Sequence, residues 1–290
     1  MTKIDVIIPS TNGKELFKKH LTAVLANTPN LNNLIIVDNA STDDSVSYAE
    51  SLSLKVKVIK NKQNNVYVKA INQGVNASSA DLIVLLNNDV HPSPGYLKNA
   101  LKLFQDPKLF AVTFNEEESS YPLIDWTGKF EYQRNNDKGR LAFSAWASGG
   151  SSILRRKIWD EIGGYNQIYA PGYWEDIDLG WTAWRSGYKI LFDPSAKVQH
   201  QHESSFSKTD QKKLQLTKQR NELLFNWQHF LDLDHIISHL SFLFTHTLRH
   251  PGYIKVIILA LLKINKLRHL KCLYTSSEVI KKLHDQKELN

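Results

Sequence analysis

The chain has 290 residues, 42% hydrophobic and 22% charged, enough to bury a full α/β domain and unlike a disordered or fibrous protein. Its single cysteine, Cys272, excludes an internal disulfide framework and a cysteine-based zinc finger, and fits a reducing cytoplasm. The net charge of +7 sits mostly at the end: nine Lys/Arg against three Asp/Glu from Arg249 onward leave about +1 elsewhere, whereas a nucleic-acid binder would spread basic charge over its main fold.

The N-terminus enters a strand at once, over 4–9, and Asp5 there breaks the apolar core that a secretion signal needs. Residues 14–26 carry Leu16, Phe17, His20, Leu21, Val24 and Leu25 at helical spacing. A second strand over 34–37 ends at Asp38-Asn39, and Thr42-Asp43-Asp44 caps a helix that runs to 52. A strand over 56–59, a helix over 66–77 and a strand over 82–86 follow. This βαβαβαβ order predicts a parallel, Rossmann-like sheet with right-handed crossovers. After Pro107 the pattern loosens. A strand is expected over 109–114, loops or a hairpin over the polar stretch 115–140, and helices over 152–162 and 176–186, the second stopped by Gly187. A strand over 189–192 is the last. From 208 the chain reads as helix, broken chiefly at Pro251-Gly252.

Asn87-Asn88-Asp89 directly follows the apolar run 82–86. In open α/β sheets ligands bind beyond the carboxyl ends of such strands, where an Asp can hold a hard cation against a diphosphate. The plain alternative is a turn in which Asn and Asp cap a helix at Ser93-Pro94. Three further groups sit at comparable places. Asp38 ends the second strand, where its carboxylate could accept hydrogen bonds from a base or ribose. Trp174-Glu175-Asp176 and Asp178 start a helix, with acids at its positive end. His200 and His202 follow the last strand. Each has a dull counterpart as a helix cap or a surface histidine.

Their order and surroundings resemble the family 2 glycosyltransferases, inverting enzymes of the GT-A fold, and within them the rhamnosyltransferase-like bacterial branch. The likeness runs over roughly 3–230. It rests on Val6-Ile-Ile-Pro-Ser10, on Val37 to Asp43, on Ala70-Ile-Asn72-Gln-Gly74 and on Leu86 to Asp89. Gly149-Gly150, Arg155-Arg156, Gly163-Gly164-Tyr165 and Glu175 to Leu179 complete it. Three departures stand out: Ser10-Thr11-Asn12 lacks the usual aromatic, Val66 stands where many relatives have glycine, and Asn87 replaces the first acid of an Asp-x-Asp motif.

The resemblance implies a GT-A Rossmann-like, mostly parallel sheet flanked by helices over 1–227, with a basic helical extension over 228–290. It implies a nucleoside-diphosphate sugar, dTDP-rhamnose or a UDP-hexose, as donor, bound by Pro9, Ser10, Asp38, Asn39, Asn72, Asn87, Asn88, Gly149 and Gly150. Asp89, with His200 or secondarily His202, would ligate Mn²⁺ or Mg²⁺, the imidazole favouring Mn²⁺. Asp176 matches the general base and Glu175 the contact to acceptor hydroxyls, while Asp178 reads as structural. The acceptor is expected to be a saccharide or lipid-linked saccharide of cell-surface polysaccharide synthesis, with no nucleic acid involved. Trp126, Trp146, Tyr173 and Trp174 are expected on the acceptor side, whereas Trp181 and Trp184 read as core. A nucleotidyltransferase of similar fold should carry a Gly-rich, Lys/Arg-bearing loop after the first strand, of which residues 10–14 are a poor version. A module that has lost activity is disfavoured by the presence of Asp38, Asp89, Asp176 and His200.

No stretch reaches the roughly 18 apolar residues of a membrane span. The tail instead interleaves Lys255, Lys263, Lys266, Arg268 and Lys271 with apolar residues over 235–248 and 253–270. That pattern suits the surface of an anionic bilayer, from the cytoplasmic side, or else packing on the catalytic domain or a homodimer contact.

Overall fold

The computed structural model describes residues 2–116, 121–135, 139–201 and 210–285, so His202 lies outside the described residues. In the first half, β1 (Ile4–Ser10), α1 (Lys14–Asn27), β2 (Leu31–Asp38), α2 (Ser45–Leu52), β3 (Val56–Lys60), α3 (Val66–Ala77) and β4 (Leu82–Leu86) follow the expected alternation. Then come β5 (Val90–Pro92), α4 (Ala100–Leu103), β6 (Leu109–Glu116), the hairpin β7 (Pro122–Trp126) and β8 (Phe130–Arg134), and β9 (Ala142–Phe143). The chain continues through β10 (Ser151–Arg155), α5 (Arg156–Ile162), α6 (Glu175–Arg185) and β11 (Lys189–His200). It closes with α7 (Gln211–His229), α8 (Leu233–Arg249), α9 (Ile254–Leu261) and α10 (Ser276–His284).

Nine strands form one sheet in the order β3-β2-β1-β4-β10-β6-β11-β5, with β9 also on β11. β1 to β4, β6 and β11 run in one direction, and β5, β9 and β10 run against them. The sheet is therefore mixed but mostly parallel, as expected. Every residue of β4 is buried, which is why it reads as an unbroken apolar run rather than an alternating one. Burying each such Leu or Ile contributes about 1.5–3 kcal/mol.

Two local expectations are corrected. Residues 152–155 belong to the antiparallel strand β10, wedged between β4 and β6, and the helix starts only at Arg156. Ile153, Leu154, Ile158, Trp159 and Ile162 mimic a helical period, but a short apolar run cannot be typed by period alone, and sheet pairing on both edges decides it. Nor does a helix begin at Ser93-Pro94. Residues 90–92 pair with the far end of β11, which is longer than its apolar run and reaches His200.

The segment after Trp227 packs on the sheet domain. Trp181 donates through Nε1 to Ser276 Oγ (3.0 Å), which itself donates to the His229 carbonyl (2.7 Å). The Arg268 guanidinium donates to the carbonyls of Gly163 and Gly164, both at 2.9 Å. Trp126 is corrected too: it stacks on Phe230 (4.3 Å) and donates to Ser238 Oγ, tying the hairpin to α8 and leaving the acceptor side. On the outer side of α8, Leu233, Ile237, Leu240, Phe244 and Leu248 remain exposed, as do Ile254, Ile258 and Leu261 on α9. Among the described residues no helix is long and apolar enough to cross a membrane.

Candidate active site

The strand polarity brings the candidate groups to one edge. Ser10 pairs with Asp38 at the ends of β1 and β2. Leu86, the last residue of β4, pairs with Ser151, the first of the antiparallel β10, so Gly149-Gly150 lies beside Asn87-Asn88-Asp89. His200 ends β11 opposite Val90, which seats it next to Asp89. A cavity of about 840 Å³ opens along this edge. Pro9, Ser10, Asn39, Asn87, Asn88, Gly149 and Gly150 line it together with Asp89, His200, Trp146, Trp174, Glu175 and Asp176.

Short contacts hold the loop after β4. The Asn87 N–H donates to the Gly150 carbonyl (2.9 Å) and Asn88 Nδ2 donates to Ser10 Oγ (3.1 Å). A Cβ on Gly150 would run into the Asn87 side chain, so this close approach requires glycine. Two residues expected at the donor are placed differently. Asn72 donates to the Tyr165 carbonyl (2.7 Å) and accepts from the Tyr165 N–H (3.0 Å), so its amide braces the 163–165 turn beneath the cavity. Asp38 is buried and off the cavity lining, its Oδ2 accepting from the Ser41 N–H at 3.3 Å.

His200 lies between two carboxylates: Nε2 is 3.1 Å from Asp89 Oδ1 and Nδ1 is 3.2 Å from Glu116 Oε2. Burial lowers the pKa of this imidazole, but the hydrogen bonds and charges of Asp89 and Glu116 outweigh it and raise the pKa to about 9. Glu116, which ends β6, is in turn bonded by Ser151 Oγ. A carboxylate on the far nitrogen fixes ring orientation, as in many metal-ligating histidines. One carboxylate oxygen and one imidazole nitrogen side by side form a donor set that fits Mn²⁺ or Mg²⁺ once the cation has displaced the imidazole's proton. Among the described residues no three acidic, His or Cys side chains converge as a cage, so a diphosphate would supply the remaining oxygens.

The acids of α6 divide by helical phase. Tyr173 and Trp174 take left-handed φ of 71° and 77°, a conformation that costs about 1–3 kcal/mol per residue and clusters at functional sites. The sharp entry sets Glu175 and Asp176 on the cavity wall at the favourable end of the helix dipole. Asp176 Oδ1 accepts from the Ile177 N–H (2.9 Å) and Oδ2 from the Gly149 N–H (3.4 Å). Burial and the Asp176 charge push Glu175 up to about 8, and burial raises Asp176 as well. Asp178 faces away, bonded to Tyr169 Oη (2.9 Å) and His229 Nε2 (2.8 Å).

Several wall residues escaped the sequence reading. Tyr67 donates to the Gly149 carbonyl (2.6 Å), and Lys218 reaches the cavity from α7 with its Nζ 4.2 Å from the Tyr173 ring centroid. Glu116 was within reach, because it lies just past a predicted strand end, the same signal that marks Asp89. Val66, already singled out in the sequence as a departure, takes φ of 42° and lines the cavity.

A mostly parallel α/β sheet with an Asn-Asn-Asp loop, a strand-end histidine and a helix-start acid pair around one cleft defines a nucleotide-sugar glycosyltransferase of the GT-A fold. The chain belongs to glycosyl transferase family 2, whose model matches residues 5–163. It is 25% identical over 213 residues to the O-antigen chain rhamnosyltransferase WbaN of Salmonella anatum, covering 70% of this chain and 67% of that protein. It is 25% identical over 204 residues to the N-acetylglucosaminyl-diphospho-decaprenol L-rhamnosyltransferase of Mycobacterium tuberculosis, covering 58% of this chain and 66% of that one. In fold it matches the mannosyltransferase PcManGT of Pyrobaculum calidifontis, solved with GDP-Man and Mn²⁺, at 16% identity with a TM-score of 0.57, over 91% and 87% of the two chains.

Proposed function

We propose that the protein moves a sugar, with inversion, from a nucleoside-diphosphate sugar to a hydroxyl of a saccharide or lipid-linked saccharide acceptor. The observation that carries this reading is the shared cavity, which presents Asp89 and His200 together with the raised acids Glu175 and Asp176. Ser10, Asn39, Asn87, Asn88 and the glycine pair would hold the donor. Asp89 and His200 would hold Mn²⁺ or Mg²⁺, which when bound offsets the charge developing on the departing diphosphate. Asp176 takes the acceptor's proton while Glu175 contacts acceptor hydroxyls, and Trp146 and Trp174 offer rings to sugar faces. Inversion asks only that the hydroxyl attack from the face opposite the leaving group, so one base suffices. Asp38 and Asn72 support the donor wall from below.

The donor proposed first is dTDP-rhamnose, supported by the rhamnosyltransferases among the relatives, with UDP-hexoses second. Thermal shift and donor hydrolysis across a nucleotide-sugar panel with Mn²⁺ test this. Stabilisation by one sugar nucleotide is expected, and no response to any of them would remove the transferase reading. A nucleotidyltransferase is less well supported, because the loop after β1, residues 11–13, carries no Lys or Arg, and Lys14, which starts α1, is engaged by Asp44 at 2.7 Å.

The reading extends to location. An exposed apolar face on α8 and α9, beside the exposed Lys255 and Lys266, fits an anionic bilayer surface, where each basic residue contributes about 1 kcal/mol. The full-length protein is expected to co-sediment with phosphatidylglycerol vesicles, less so at high salt. Ile237→Glu with Phe244→Glu should abolish this without lowering the melting temperature. Binding that ignores salt and both substitutions would leave that face to a homodimer.

A further inference from the structure

We propose that the cleft between β8 and α7 is a second saccharide subsite, holding the acceptor sugar adjacent to the one that is attacked. The proposal deepens the transferase reading and makes the acceptor an oligosaccharide rather than a single sugar.

The cleft is a separate cavity of about 460 Å³, within the size range of small-ligand sites. One wall is a helix face: Gln215, Lys218, Gln219 and Glu222 recur at i, i+3, i+4 and i+7 along α7. The opposite wall is the strand β8 with Lys129 just before it. Lys129 Nζ bonds Glu222 Oε1 at 2.9 Å and lies 3.7 Å from Glu131, so the charges within the cleft are balanced across it. The cleft is not isolated, because Tyr132, Trp174 and Lys218 line both it and the main cavity. At this junction Tyr132 stands edge-on to Trp174 (6.3 Å) and to Trp146 (5.1 Å).

The chemistry fits a sugar better than other ligands. Pyranose rings present C–H faces to aromatic rings and hydroxyls that both donate and accept. Glutamine amides do both at once, and a Lys–Glu pair supplies the same complement in charged form. A diphosphate is not favoured, since Lys129 is already paired with Glu131 and Glu222 and the cleft offers no net positive charge. A polar helix face is most often merely solvated, but here it looks across a cleft at a second polar wall. The cleft shares Trp174, the residue before Glu175 and Asp176, with the main cavity, so it adjoins the proposed acceptor side.

The test is an array of mono- to tetrasaccharides probed with the full-length protein and Mn²⁺, with and without the nucleoside diphosphate. Disaccharides and longer chains are expected to be retained over monosaccharides. Gln219→Trp, which fills the cleft, should cut that retention by about ten-fold. The milder pair Gln215→Ala and Gln219→Ala should weaken it in the same direction. Nucleotide affinity by calorimetry should stay within about two-fold in every variant, which controls for folding. Equal retention by wild type and folded variants, monosaccharides held as well as longer chains, or no saccharide retained would each overturn the subsite. Failure of the wild type to bind any nucleotide counts against the transferase reading instead, and the arm without nucleotide still decides the cleft.

Discussion

Asp89→Ala is expected to lose at least about 100-fold in Mn²⁺-dependent affinity for a nucleoside diphosphate, because outer residues of metal sites alone often cost 10–100-fold. Asp89 is the buried carboxylate at the end of β4, and the neighbouring positions 87 and 88 are amides that cannot replace its charge. Glu116 contacts the other nitrogen of His200 and is fixed by Ser151, so it is poorly placed to substitute. Calorimetry of the variant with Mn²⁺ and UDP or dTDP measures the effect, and unchanged affinity would remove Asp89 from the metal site. Metal-free binding of the nucleoside should survive, since Pro9 is carried by β1 and Asn39 follows β2, whereas Asp89 is in the loop after β4.

Asp176→Asn should reduce transfer by about 10²–10⁴-fold, the usual contribution of a general base, while donor affinity is retained. An amide oxygen can still accept from the Ile177 N–H, so the entry of α6 should hold. Wild-type transfer should rise with pH beyond the ordinary carboxylate range and then level off, because burial raises Asp176. Stability moves the other way. The folded chain keeps a proton on Glu175 that the unfolded chain sheds near the ordinary carboxylate range, so this contribution is full at low pH and is lost as pH rises through about 8. A transfer rate within a few-fold of wild type, or a flat pH profile, would move the base to another residue.

The region up to Leu86 was readable because its signals are local. Apolar runs bounded by polar turns, and helices with one apolar face, depend on neighbours a few residues away. The places of Asp89 and Asp176, just after β4 and at the start of α6, could be read for a similar reason, since a strand end and a helix start are marked within the chain itself. β10 was misread because its identity depends on β4 and β6, about 40 to 70 residues earlier. No local signal shows that the Asn72 amide bonds the Tyr165 backbone, 93 residues away. Trp126 likewise belongs with Phe230 rather than with the sugar-facing rings.

By itself the sequence determined the alternating α/β architecture, the family likeness and the acids at element ends, because periodicity and motif order are properties of short stretches. Only the tertiary structure decided that His200 is shared between Asp89 and Glu116, that the residues after Trp227 lock onto Trp181 and the 163–164 turn, and that α7 faces β8 across a cleft. Those arrangements come from side chains tens to more than a hundred residues apart, and burial and pairing, which no local pattern encodes, choose among them.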